Sequence, residues 1–208
     1  MIVDPIQYIS VQNDFYSHCS GIEAACKAGI TWVQLRLKDT SENDLLEQAL
    51  QAKSICNDYN CTLIINDNPL LAQKINAHGV HLGKKDMPPL EARKILGPDK
   101  IIGGTANSFQ DVLHLVLQGV NYIGLGPFRF TTTKKELSPV LGLQGYKDIL
   151  LQCKQHNIQI PIFAIGGIQL PDIQPLMQTG IHGIALSGLL ANATQMAPVV
   201  HQIKSLLN

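Results

Sequence analysis

The stretch CTLIINDNPLLAQKINAHGVHLGKKDMPPLEARKIL, residues 61–96, decides the fold. It holds two short apolar, β-branched runs, CTLIIN (61–66) and GVHLG (79–83), each followed by a helix-type segment. Asn68 ahead of Pro69 reads as an N-cap followed by a first-turn proline. Short strands joined through helices are βαβ units, which build a parallel sheet.

The same unit recurs on both sides. IQYISV (6–11), TWVQLRL (31–37), KIIGGT (100–105), NYIGLG (121–126), IPIFAIG (160–166) and HGIALS (182–187) are further strand candidates. With the first two they make eight. Between them, SENDLLEQALQAKSICNDY (41–59) repeats apolar residues at Leu45, Leu46, Ala49 and Ala52, and Ser41 with Asp44 can cap it. SFQDVLHLVLQG (108–119) stops at Gly119, and NATQMAPVVHQIKSLLN (192–208) reads as a closing helix. Eight strand–helix units predict one (β/α)₈ TIM barrel, a single domain over residues 1–208. The rival, a doubly wound open sheet, wants a G-x-G-x-x-G after its first strand, and none is there.

The bulk numbers agree. The 208 residues, 45% of them hydrophobic, are enough for one sizeable core and an awkward length for two. Sixteen Lys and Arg balance sixteen Asp and Glu, so no nucleic-acid or anionic-membrane surface is expected. An anion site must then be a local concentration of donors. Five cysteines without a C-x-x-C argue against a disulfide framework or a Cys-rich zinc site. The start MIVDPIQ lacks a signal peptide's basic and apolar regions, and no apolar run reaches the ~18 residues of a membrane span. A reducing cytoplasm is the expected setting.

Barrel enzymes work at the C-terminal ends of their strands. After the second strand, alternation puts Gln34, Arg36 and Lys38 on one side. An inward Arg36 needs an anionic partner. After the third and fourth come Asp67 and Asp86, each able either to cap a helix or to bind a hard cation. On neighbouring strands they become a carboxylate pair suited to Mg²⁺. Thr105 and Asn107 follow the fifth strand, and GLGPFRFTTTKKELSPVLG (124–142) follows the sixth with a row of hydroxyls and ammoniums. Gly166 and Gly167 follow the seventh and Ser187 with Gly188 the eighth, where barrels often bind phosphate. Of seven histidines, His78 and His81 are three apart, but not along one helix, and a zinc site is not expected there.

These strand ends resemble the thiamine-phosphate synthase (thiamine-phosphate pyrophosphorylase) family. The resemblance runs through VQLRLK (33–38), IINDN (64–68), GVHLGKKD (79–86), IIGGTAN (101–107), NYIGLGPFRFTTTK (121–134), IPIFAIGGI (160–168) and HGIALSG (182–188). Each motif is weak alone; seven in order are specific. The resemblance implies a TIM barrel with Mg²⁺ as cofactor and two small-molecule substrates. These are hydroxymethylpyrimidine diphosphate and a thiazole phosphate or its carboxylated form. The products would be thiamine phosphate and pyrophosphate. It implies that Gln34, Arg36, Lys38, Asn66, Thr105 and Lys134 bind the pyrimidine diphosphate. Asp67 and Asp86 would hold the metal. Thr131, Thr133, Gly167, Leu186 and Ser187 would bind the thiazole phosphate. The oligomeric state is left open, a homodimer included.

Three departures stand out. The family loop commonly reads GPIFPT, but here Arg129 and Phe130 bring an added charge and replace a proline. Asn107 sits where a histidine is common, and Leu37 where an acidic residue is common. The alternative is a thiazole tautomerase on the same barrel. Its expected histidine base would fall at Asn107, which cannot titrate.

Overall fold

The computed structural model describes residues 4–38, 40–130 and 139–207. Its strands are β1 (Ile6–Ile9), β2 (Trp32–Leu35), β3 (Thr62–Asn66), β4 (Gly79–Leu82), β5 (Ile101–Ala106), β6 (Tyr122–Leu125), β7 (Ile162–Ile165) and β8 (Gly183–Leu186). All neighbouring pairs are parallel, and β8 closes onto β1 to complete a barrel in sequence order. Seven strands fall inside the runs assigned to them from the sequence, and β5 extends one residue beyond its run, to Ala106. The closed barrel excludes the open-sheet rival.

The intervening helices are α1 (His18–Lys27), α2 (Glu42–Asp58), α3 (Pro69–Lys74), α4 (Pro89–Leu96), α5 (Phe109–Leu117), α6 (Gly142–Gln155) and α7 (Leu170–Met177). A short α8 (Gly188–Ala191) and the closing α9 (Met196–Leu207) follow β8. No described helix is long and apolar enough to cross a membrane. Their starts follow local chemistry. Ser41 accepts the backbone N–H of Asp44, and Asn68 accepts that of Leu71 with Pro69 in the first turn. Ser108 and Asp111 cap α5 reciprocally.

Two apolar layers result. The larger lies between strands and helices. Leu37 packs against it, half-buried, which gives its departure from the family pattern a packing reason. The smaller fills the lower lumen with Trp32, Ile64, Ile101, Tyr122 and Phe163. Its rings meet edge to face, with Trp32 4.9 Å from Tyr122 and 4.8 Å from Phe163 between centroids. Such pairs add about 0.5–1.5 kcal/mol to the burial of each ring. Space for them comes from small residues on the same inward face. A Cβ at Gly103 would stand 2.2 Å from the Tyr122 ring and 2.6 Å from His81 Nδ1. This floor puts the lumen's remaining polar side chains at the upper end.

Candidate active site

The first wall of the barrel mouth is built by β2, β3 and β4. Gln34 is buried, and its Nε2 donates to Asn66 Oδ1 at 2.7 Å. That bond fixes the amide and leaves Gln34 Oε1 buried without a partner. Arg36 has its backbone N–H tied to Ser10 Oγ at 3.0 Å, and Ser10 Oγ in turn lies 2.8 Å from His18 Nδ1. The Arg36 guanidinium is half-buried. Burial pushes its pKa down, and the nearby Asp67 charge opposes this. Lys38 forms an ion pair with Asp67.

Asp67 stands at φ 66°, a left-handed conformation rare outside glycine, with its N–H bonded to His81 O at 2.8 Å. Its helix-capping alternative fails, because Asn68 caps α3. Asp86 does not cap either. Pro88 precedes α4 with no side-chain cap bond, and Asp86 Oδ2 instead accepts Gly83 N–H at 2.6 Å. The two carboxyl groups lie close enough for each to shift the other's pKa. Burial and the facing Asp67 push the Asp86 carboxyl above its ordinary range. Burial also acts upward on Asp67, but the Asp86 and Lys38 contacts outweigh it and hold Asp67 low. The two carboxyls are thus pushed in opposite directions, Asp67 down and Asp86 up. No third His, Cys, Asp or Glu completes a metal cluster among the described residues.

The middle of the mouth holds a network that the sequence reading did not assemble. His81 Nε2 lies 2.9 Å from Thr105 Oγ1, and His81 Nδ1 lies 3.0 Å from Tyr122 Oη. Gln7 Nε2 donates to the same phenol at 3.4 Å. Burial drives the Tyr122 pKa far above its ordinary value, so the phenol keeps its proton. The available signal was a histidine at an inward position of an otherwise apolar strand, GVHL. Asn107 is spent on the backbone: its Nδ2 donates to Gly126 O and Pro139 O, both at 2.9 Å. Lys84 pairs with Asp111 at 2.6 Å.

The opposite wall belongs to β6, β7 and β8. Thr131, Thr133 and Lys134 lie outside the described residues. What precedes them is well defined. Gly166 and Gly167 both take positive φ, 95° and 68°. A Cβ on Gly166 would come within 2.7 Å of Pro127 Cβ, so the strand-6 loop and this turn are in direct contact. Ser187 Oγ is buried with no partner. Leu186 sits in the outer core with its side chain fully buried, so alternation leaves only its backbone for the mouth. Phe130 is exposed, and nothing among the described residues accounts for it.

A parallel (β/α)₈ barrel with cations and paired carboxylates on one wall and a glycine turn on the other belongs with the barrels that handle phosphorylated substrates. The comparisons narrow this. The family model for thiamine monophosphate synthase matches residues 7–190. The thiamine-phosphate synthase of Flavobacterium johnsoniae is 50% identical, covering 97% of this chain and 95% of the relative. That of Phocaeicola vulgatus is 51% identical, covering 97% of each. The structure of thiamine phosphate pyrophosphorylase from Pyrococcus furiosus superposes with a TM-score of 0.84 at 25% identity, covering 97% of this chain and 94% of that one. The chain belongs to the thiamine monophosphate synthase family. None of these relatives is a tautomerase, and that alternative finds no support.

Proposed function

We propose that the protein joins hydroxymethylpyrimidine diphosphate to thiazole phosphate, or to its carboxylated form, releasing thiamine phosphate and pyrophosphate. The observation that carries this reading is the contact between Asp67 and Asp86 beside Arg36 and Lys38. Two neighbouring hard carboxylates are the donor type that a small divalent cation takes. Mg²⁺ commonly takes one or two carboxylates and fills its other positions with waters and phosphate oxygens. Asp67 and Asp86 would hold it, and it would supply neutralising charge to the diphosphate.

The chain's own groups do the rest. Gln34 Oε1, fixed by Asn66, accepts from the pyrimidine's amino group and orients the ring. Lys38, now paired with Asp67, would turn to the diphosphate. Arg36 faces the same charge, Thr105 adds a hydroxyl donor, and Lys134 adds an ammonium. With the leaving charge so held, the bond from the pyrimidine methylene carbon to the diphosphate oxygen breaks and its electron pair departs with pyrophosphate. The ring amino group stabilises the pyrimidine carbocation, and the thiazole nitrogen closes the new carbon–nitrogen bond. Thr131, Thr133, Gly167, Ser187 and the backbone at Leu186 hold the thiazole phosphate. No protein nucleophile or strong base is needed; positioning and preorganised charge carry the rate. A reducing cytoplasm suits the five free, buried cysteines.

The test is to combine both substrates with Mg²⁺ and follow thiamine phosphate. Product in proportion to enzyme is expected. Folded protein that makes none would overturn the assignment.

A further inference from the structure

Arg129 departs from the family loop, and the structure gives it a defined place. Three successive carbonyls of the strand-7 turn point at the strand-6 loop. Ile165 O accepts Phe128 N–H at 2.9 Å, and Gly166 O accepts Arg129 N–H at 3.0 Å. Gly167 O accepts Arg129 Nη1 at 2.8 Å. The guanidinium is then held on Asp172 by two bonds, Nη1 to Oδ2 at 2.7 Å and Nη2 to Oδ1 at 2.9 Å. Asp172 also accepts Gln169 N–H at 2.8 Å, as part of the cap that starts α7.

The opposite sides of these peptides behave differently. The N–H groups of Gly167 and Ile168 have no acceptor among the described residues. A turn whose carbonyls are all engaged on one side presents its N–H groups on the other, which is the geometry of a backbone anion site. Arg129 itself is a poor direct ligand for an anion, since Asp172 already neutralises its charge in a bidentate pair. The contact is also close: a Cβ on Gly167 would stand 3.0 Å from Arg129 Cβ.

We infer that Arg129, held by Asp172, is a positioning residue that keeps the Gly167 carbonyl turned away so that the Gly167 and Ile168 N–H groups face the substrate phosphate. This rests on the placement of the thiazole phosphate at Gly167 proposed above. The role differs from that of a general loop anchor, because it predicts loss of affinity for one phosphate group and nothing else.

The experiment measures KM and kcat for both substrates in Arg129→Ala and Asp172→Asn. Binding of thiazole phosphate and of its dephosphorylated alcohol is measured alongside. Each variant should raise KM for thiazole phosphate roughly tenfold, the scale of a weakened charge-assisted hydrogen bond. It should leave kcat and the KM for pyrimidine diphosphate within about twofold, the pattern of lost uniform binding. Affinity for the alcohol should not move. The double variant should lose no more than either single one, because both act through one carbonyl. An unchanged KM for thiazole phosphate in Arg129→Ala overturns the inference. So does an equal loss for phosphate and alcohol, or for both substrates together with a lowered Tm. Gly167→Ala separates the two levels of the argument. If it too leaves thiazole phosphate binding intact, the placement of that phosphate is wrong. If it weakens binding while Arg129→Ala does not, only the role of Arg129 falls.

Discussion

The two walls of the mouth use different chemistry. On the β2–β4 wall, function rests on side chains: Gln34, Arg36, Lys38, Asp67 and Asp86. On the β6–β8 wall, much of it rests on backbone, with glycines admitting close approach and N–H groups left open. In the proposed reaction the first wall would meet a diphosphate that departs with growing charge, where full charges and a cation are effective. The second would hold a phosphate that does not react, where fixed dipoles suffice. Substitutions on the first wall should therefore damage the chemical step, and those on the second should damage binding.

The largest expected effect lies on the first wall. Asp67→Ala and Asp86→Ala should each lower kcat/KM by roughly 10³-fold or more and remove the response to added Mg²⁺. Mg²⁺-dependent turnover surviving in both would break the contrast at its strongest point. Lys134→Ala should cost roughly 10²–10³ in kcat/KM if its ammonium serves the leaving group as proposed. A rate near that of the unaltered protein would move Lys134 to the surface-loop residues.

The smallest effect concerns stability on the second wall. Burial pushes the Asp172 carboxyl up, but the Arg129 contact and the backbone bond from Gln169 outweigh it and hold its pKa below the usual value. A depressed carboxylate pKa stabilises the fold above the unfolded value of about 4, and this contribution is lost as pH falls through the folded pKa. Arg129 remains 44% exposed, so solvent screening keeps the gain below about 1 kcal/mol. Asp172→Asn should flatten the fall in Tm between neutral and acid pH slightly, and an unaltered profile would show that the pair contributes nothing to stability.

The fold was legible because hydrophobic periodicity and turn residues repeat through every unit, so each strand could be placed without its neighbours. The first wall was legible for a related reason. Gln34, Arg36 and Lys38 alternate within one strand, and Asp67 and Asp86 follow adjacent ones. The sequence could not choose between capping and metal binding for the two aspartates. The structure removes the capping reading, since Asn68 takes the cap of α3 and Asp86 turns back to Gly83. The His81–Thr105–Tyr122 network was hidden because it depends on the inward register of three strands at once. Arg129 was hidden because its partner Asp172 lies 43 residues further on, and the groups it controls are carbonyls, which no residue letter shows.

The edge-to-face rings of Trp32, Tyr122 and Phe163 have a kinetic consequence. They close the barrel from below, so the chamber is a cul-de-sac: both fragments enter, and both products leave, by one doorway. Gln34 and Asn66 lie nearer the rings than the loops at the rim. With the pyrimidine fragment at Gln34 and Asn66 as proposed, it would be seated before the thiazole fragment covers it, so traffic through the doorway would impose an order of arrival on a reaction whose chemistry imposes none.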